Sequence, residues 1–308
     1  MSFFNKLFGG PAPSSEEKEQ RERLRRFETL RDEGLRAKQA GALPHAARCL
    51  EEALRLVDDL ATAGYLAEVC LLQGDDARAL PLLRRLAAAK PDNVEVLLLL
   101  SQSLTRTGAH AEGREVAARL ADSQPDEVRA RYVLALAERA GGNLFGAIAA
   151  LTQALTARPD YATARRLRAE ILLDMGQGRE ALDDTQTLLD AAPDDETCLL
   201  LHARALAAAG RADEARTAAE RLHTLNPFHR EAILLLGSLY GAARRHELAL
   251  ALYDEAIALM PDFAEAYDRR GRLRMQLHDD AGAADDLKQA LALRPDAARR
   301  LDGTFTNR

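Results

Sequence analysis

Seven prolines, Pro91, Pro125, Pro159, Pro193, Pro227, Pro261 and Pro295, stand 34 residues apart without exception in this 308-residue chain. Proline cannot occupy a helix interior without breaking a hydrogen bond and clashing with the preceding turn, so each must lie outside the element it follows. Six of the seven are followed by Asp, and most are preceded by a helix-forming run such as Leu151 to Arg158. Each therefore marks a helix end. A strict period of this length predicts stacked helical hairpins.

Two further columns support that prediction. With each proline as position 32 of a unit, position 8 holds Ala67, Ser101, Ala135, Ala169, Ala203, Gly237 and Gly271, and position 20 holds Ala79, Gly113, Ala147, Ala181, Ala215, Ala249 and Ala283. Small side chains at two fixed points are what closely crossing helices require of their contact. Position 15 carries Gly74, Gly108, Gly142, Gly176 and Gly210, suited to the left-handed turn that closes a first helix; Arg244 and His278 break that rule. Gly34, Gly41, Ala46, Leu50 and Ala53 outline a first unit that lacks the proline. A generic bundle would need all these columns to arise independently.

These residues resemble the tetratricopeptide repeat family, whose pattern has a large residue at 4, small residues at 8 and 20, an aromatic at 24 and proline at 32. Unit 230–263 carries Gly237, Tyr240, Ala249, Tyr253, Ala256 and Pro261 at signature positions, and unit 264–297 carries Tyr267, Gly271, Ala283, Ala290 and Pro295. The resemblance implies an all-α fold, a right-handed superhelical solenoid of about eight tetratricopeptide-type helix-turn-helix hairpins. The expected organisation is a flexible apolar segment and linker over 1–15, a solenoid over 16–297 and a short tail over 298–308. Its units are expected at 27–59, 60–93, 94–127, 128–161, 162–195, 196–229, 230–263 and 264–297. Arg168 and Arg270 stand where Leu is usual, and Thr185 and Ala219 where an aromatic is usual, which predicts looser packing there.

Composition narrows the function. A net charge of −6 argues against a phosphate-binding surface, and no nucleic-acid partner is expected. Cys49, Cys70 and Cys198 are odd in number and lack CxxC spacing, so they are read as reduced packing residues in a cytoplasmic chain. No run reaches the length of a membrane span, and Met1 to Phe8 is too short for a secretory signal. Seven histidines scatter without HxxxH or HExxH, so no metal site and no cofactor are expected. The paired acids Asp183–Asp184 and Asp285–Asp286 are read as solvated surface, and no set of residues composes an acid–base site; the chain is expected not to be an enzyme.

The resemblance also implies where a partner sits. In the family the first helices of successive repeats line a concave groove, with positions 2, 5, 9, 12 and 13 facing a bound peptide. Here those positions hold Arg129, Tyr132, Arg139, Arg166, Glu170, Arg204, Asp268 and Arg272. An arginine-rich groove predicts acidic or C-terminal segments of protein partners, because guanidinium pairs bidentately with carboxylate. The opposing reading is a solvated, internally paired face, with Glu138, Glu170 and Asp174 as the neutralising acids. Leu98, Leu200 and Leu234 at position 5 read as core before they read as anchors. The carboxylate clamp of chaperone-binding relatives is not matched, since the corresponding columns read Arg31 and Leu35, Gly64 and Glu68, Leu98 and Gln102.

The expected function is a non-catalytic protein–protein interaction scaffold or adaptor. The alternative is a peripheral, membrane-recruited assembly factor, docking through an apolar cluster of Phe3, Phe4, Leu7 and Phe8. Such a short apolar stretch binds membranes only marginally, and the disordered reading of it is preferred.

Overall fold

The computed structural model describes residues 14–294, and within them the chain is sixteen α-helices with no strand. Phe3, Phe4, Leu7, Phe8 and the tail from Pro295 lie outside the described residues. The chain divides into two compact units, residues 1–159 and 160–308.

The first unit contains α1 (Ser15–Gln39), α2 (Leu43–Leu56), α3 (Leu60–Leu72), α4 (Asp76–Ala89), α5 (Val94–Arg106), α6 (His110–Ser123), α7 (Val128–Ala140) and α8 (Leu144–Ala157). Each helix packs on the next, and the first helices also meet across hairpins, α1 on α3 and α5 on α7. The second unit repeats the plan with α9 (Ala162–Asp174), α10 (Gly178–Ala191), α11 (Glu196–Ala208), α12 (Ala212–Leu225), α13 (Arg230–Ala242), α14 (His246–Leu259), α15 (Ala264–Gln276) and α16 (Asp280–Ala292). There α9, α11, α13 and α15 form one continuous row. Each unit is thus a helical-repeat solenoid whose energetics are set by neighbour stacking.

The helix ends follow from local chemistry. The residue before each described periodic proline, Lys90, Gln124, Arg158, Ala192, Asn226 or Met260, has φ between −140° and −132° and ψ between 77° and 93°. Proline Cδ excludes the α region from that residue, so the second helix of the hairpin stops there. In the first hairpin, which has no proline after its second helix, Val57 makes the same break at φ −135°, ψ 128°. Starts are capped by Asp59, Asp75, Asn93, Asn143, Asp195 and Asp279, whose side chains accept from backbone N–H groups of the first turn.

Between the two helices of a hairpin, Gly41, Gly74, Gly108, Gly142, Gly176 and Gly210 all have φ between 73° and 90°. Hydrogen bonds such as Gly74 N to Leu71 O and Asp75 N to Cys70 O close the helix by a Schellman-type turn that requires this conformation. Arg244 and His278 take it too, at φ 56° and 64°, with the equivalent bonds Arg245 N to Tyr240 O and Asp279 N to Arg274 O. The turn outranks the side chain's own preference.

The two small-residue columns are buried throughout, and the side chains they meet compensate them in volume. Where position 8 is Gly, the residue sixteen on fills the space: a Cβ at Gly34 would lie 2.8 Å from Leu50 Cγ, and one at Gly237 only 2.9 Å from Tyr253 Cε1. Where position 8 is Ser101, its hydroxyl donates to the carbonyl of Gly113 at 2.7 Å, and position 20 has shrunk to Gly. Leu98 and Leu200 are buried, as core residues should be, while Leu234 is half-buried.

Asp184 and Asp286 correct the sequence-based reading of the paired acids. Asp183 and Asp285 are exposed, but Asp184 and Asp286 are 1% and 3% exposed, inside helix pairs. Asp184 accepts from Arg165 Nη1 at 2.9 Å and from Arg168 Nε and Nη2 at 2.7 and 2.8 Å. Asp286 accepts from Arg270 at 2.9 and 2.6 Å and from Arg274 at 2.9 Å. The arginines at the usual Leu position therefore bring their counter-ion into the core. Thr185, at the usual aromatic position, is also buried and holds His202 Nδ1 at 3.0 Å from its hydroxyl.

Candidate functional site

In the first unit, α5 and α7 border a hollow of about 590 Å³ lined by Gln102, Thr105 and Arg106 of α5 and by Tyr132, Leu136, Arg139 and Ala140 of α7. The sequence spacing explains the convergence, since residues three or four apart on a helix share a face. Tyr132 and Leu136 supply apolar surface, and two guanidinium-bearing side chains stand among the lining.

The charges around this hollow are organised by neighbours. Arg106 makes a bidentate pair with Asp76 at 2.7 and 2.6 Å. That bond holds the Asp76 carboxyl below the usual carboxylate range and raises Arg106 above its own, so both stay ionised near neutrality. Arg129 does not line the hollow. Its guanidinium is engaged by Glu127 at 2.9 and 2.7 Å and by Glu95 at 2.8 Å, which push it further toward the charged form.

In the second unit the expected groove residues are mostly self-neutralised. Arg166 faces Glu170 one turn on at 3.9 Å, and Arg272 bonds Asp268 at 2.9 Å. Exposed pairs of this kind add little stability, but they do occupy the charge. Arg204 on α11 is exposed and has no acidic partner among the described residues. Of the eight expected residues, the structure gathers Tyr132 and Arg139 into one hollow and distributes the others singly or in pairs. Gln102, Thr105, Arg106 and Leu136 were missed, although they stand at positions 9, 12, 13 and 9 of their repeats and the same positional rule would have found them.

One further cluster joins potential ligands. Among the described residues, Glu33 on α1 and His45 and Cys49 on α2 bring a carboxylate oxygen, an imidazole nitrogen and a thiol sulfur within 4.8 Å of one another. His45 and Cys49, four residues apart, have the helical spacing of an HxxxH pair with a thiol in place of the second imidazole. Cys49 and Cys70 are buried and Cys198 is half-buried, all as free thiols. Burial raises all three, Cys198 to about 11 with help from Asp195.

Stacked hairpins closed by small residues, with a hollow between first helices, define an all-α helical-repeat protein. Family comparison agrees: two tetratricopeptide repeat models match residues 31–94 and 71–137, and the model described as the N-terminal tetratricopeptide repeat region of Psidin matches residues 141–269. The chain is a tetratricopeptide repeat protein, of a family that serves protein–protein interaction and is generally non-catalytic. No curated protein sequence matches it. Among solved structures, a tetratricopeptide repeat protein from Parabacteroides merdae is similar with a TM-score of 0.60 at 18% identity, over 76% of this chain and 93% of that one. YrrB, described as having an unusual peptide-binding site, is similar with a TM-score of 0.52 at 18% identity, over 60% and 95%. MamA from Desulfovibrio magneticus gives 0.51 at 20% identity, over 54% and 93%. At these identities the likeness concerns the fold. No described helix is long and apolar enough to cross a membrane.

Proposed function

We propose that the chain is a non-catalytic cytoplasmic adaptor that seats an extended segment of a protein partner on its first helices, with the α5–α7 hollow as the principal seat. The observation that carries this reading is the convergence of Tyr132 and Leu136 with Arg106 and Arg139 around about 590 Å³, enough for one large side chain and adjoining backbone. Tyr and Arg are the side chains that most often dominate binding energy, because each presents a large rigid surface with a polar end.

The chemistry favours a segment with an apolar anchor next to a carboxylate. Tyr132, Leu136 and Ala140 take the anchor. Arg139 then turns to the acidic group, exchanging an existing interaction for it, while Arg106, whose charge Asp76 already balances, offers its guanidinium face and not a free cation. The free charge of Arg204 extends the same preference to the second unit. The internal pairing of Arg129, Arg166 and Arg272 means that an acidic segment has to displace existing partners at those places, so they contribute less than the arginine count suggests. YrrB's described peptide-binding site shows that the repeat can be put to such use in another protein.

The test is a peptide array probed with the full chain and with Tyr132→Ala, Arg139→Glu, Arg204→Glu, Arg129→Glu and Arg166→Glu variants. Peptides carrying an apolar residue beside an acidic one, or ending in a carboxylate, should be retained by the parent, with binding reduced tenfold or more in the first two variants. Equal binding by the parent and both α7 variants refutes the seat. Loss only in Arg129→Glu and Arg166→Glu transfers it away from the hollow.

A further inference from the structure

We infer that Glu33, His45 and Cys49 form a zinc site that clips α1 to α2, independently of the partner seat. His45 and Cys49 are four residues apart on α2, so their side chains leave the same face one turn apart. Glu33 approaches from α1 across the turn at Gly41, twelve residues from His45.

The distances suit a small tetrahedral ion. Zinc binds thiolate at about 2.3 Å, imidazole at about 2.0–2.1 Å and carboxylate at about 2.0–2.2 Å, which sets donor-to-donor edges of about 3.4–3.6 Å. His45 Nε2 lies 3.0 Å from Glu33 Oε1 and 3.7 Å from Cys49 Sγ, and the third edge is within 4.8 Å. Small side-chain rotations bring all three to the required edges without moving the helices. Cys49 Sγ stands alongside the imidazole, 3.7 Å from Nε2 and 3.9 Å from Nδ1, so a turn of the exposed ring about its own axis is what aims one nitrogen at an ion shared with Glu33 and Cys49.

The donor set also selects the ion. A thiolate with an imidazole favours zinc over magnesium or calcium, which take oxygen ligands. On binding, the Cys49 thiol gives its proton to solvent, His45 Nε2 gives up the proton it donates to Glu33, to solvent or to Nδ1, and thiolate plus carboxylate balance the two positive charges. His45 is exposed, so water can complete the fourth position of the tetrahedron. Glu33 is available for this role in a way the buried Asp184 and Asp286 are not. Its ion pair is with His45 itself, whereas those aspartates are saturated by guanidinium bonds.

The experiment uses the metal-free full chain, kept reduced without added thiol, and titrates cobalt(II) as a spectroscopic stand-in for zinc. Binding should produce a thiolate-to-cobalt charge-transfer band that saturates at one ion per chain and is displaced by zinc. Cys49→Ser should abolish the band. His45→Ala and Glu33→Gln should weaken binding tenfold or more, and Cys198→Ser should leave it unchanged. His45 is exposed, so its variant retains the core, and circular dichroism checks each fold. Zinc should raise the thermal midpoint of the parent and not of His45→Ala. Absence of a band at saturating cobalt, or a band that survives in Cys49→Ser, overturns the site and leaves Glu33 and His45 as an ion pair beside a packed thiol.

Discussion

Gly237 and Tyr253 offer the most direct measure of how the hairpins close. Tyr253 is 3% exposed, and its ring lies over Gly237 on the facing helix. A Cβ added at Gly237 would lie 2.9 Å from Cε1 and nearer still to Cζ and the hydroxyl, against the 3.4 Å at which ordinary van der Waals contact begins. The nearer hydroxyl and Cζ set the requirement, so the ring must retreat by about an ångström in an interior packed as densely as an organic crystal. Overpacking of this kind is expected to lose about 1–3 kcal/mol for Gly237→Ala. Tyr253→Leu alone is expected to lose a similar amount, about 1–3 kcal/mol, through the cavity it opens. In the double variant the new methyl occupies part of the vacated space, as Ala67 with Leu83 and Ala135 with Leu151 already do at these positions. The double should therefore be close to Tyr253→Leu alone, a favourable coupling equal to the Gly237→Ala loss, about 1–3 kcal/mol. Urea unfolding gives the overall change, and hydrogen exchange resolves α13 and α14 separately, since a repeat array need not unfold as one block. If the two losses add within about 0.5 kcal/mol, the volume-compensation argument is refuted.

Three further outcomes are expected. Arg244→Gly and His278→Gly should each stabilise the chain by about 0.5–1 kcal/mol, because the left-handed conformation disfavours an L side chain by about 1–2 kcal/mol and the greater freedom of unfolded glycine offsets only part of that; a lower urea midpoint in either variant contradicts this. Asp184→Leu alone should lose about 3–5 kcal/mol by leaving Arg165 and Arg168 without their buried acceptor, whereas Arg168→Leu with Asp184→Leu recreates the Leu66 and Leu82 pair of an earlier hairpin and should recover most of the loss. A double variant as unstable as the single would disprove that account. His202 is lowered from its ordinary 6.5, first by burial and then by the positive charge of Arg211. The unfolded chain then binds the proton more readily than the folded one, so the stability contributed by neutral His202 is complete above about 6.5 and is lost as pH falls toward the folded value. Urea midpoints measured between pH 7.5 and 5 should fall more steeply for the parent than for His202→Gln, and parallel slopes would exclude His202 as the cause.

Most of the fold is legible in sequence because its determinants are local. A proline acts on the residue before it, a glycine on its own φ, and an Asp or Asn cap on the next turn. Repetition then averages away exceptions, so that Arg244 and His278, wrong by propensity, do not alter the turns they occupy. The buried acids were also legible in part, since Arg168 with Asp184 and Arg270 with Asp286 place Arg at position 7 and Asp at position 23 of the same repeats, while Leu66 with Leu82 and Leu236 with Leu252 are apolar at both. An acid beside another acid looked like surface only because its counter-ion sits sixteen residues away.

The period, the helix ends and the crossing points were therefore determined by sequence alone. Tertiary structure decided the partners: which carboxylate each arginine takes, that Tyr132 and Arg139 share a hollow with α5 while Arg129 turns to Glu127 and Glu95, and that Glu33 meets His45 and Cys49. Local rules act along the backbone over a few residues. Charge pairing and ligand convergence depend on distances of 3–4 Å between helices, and a difference of one side-chain length in packing is enough to change them.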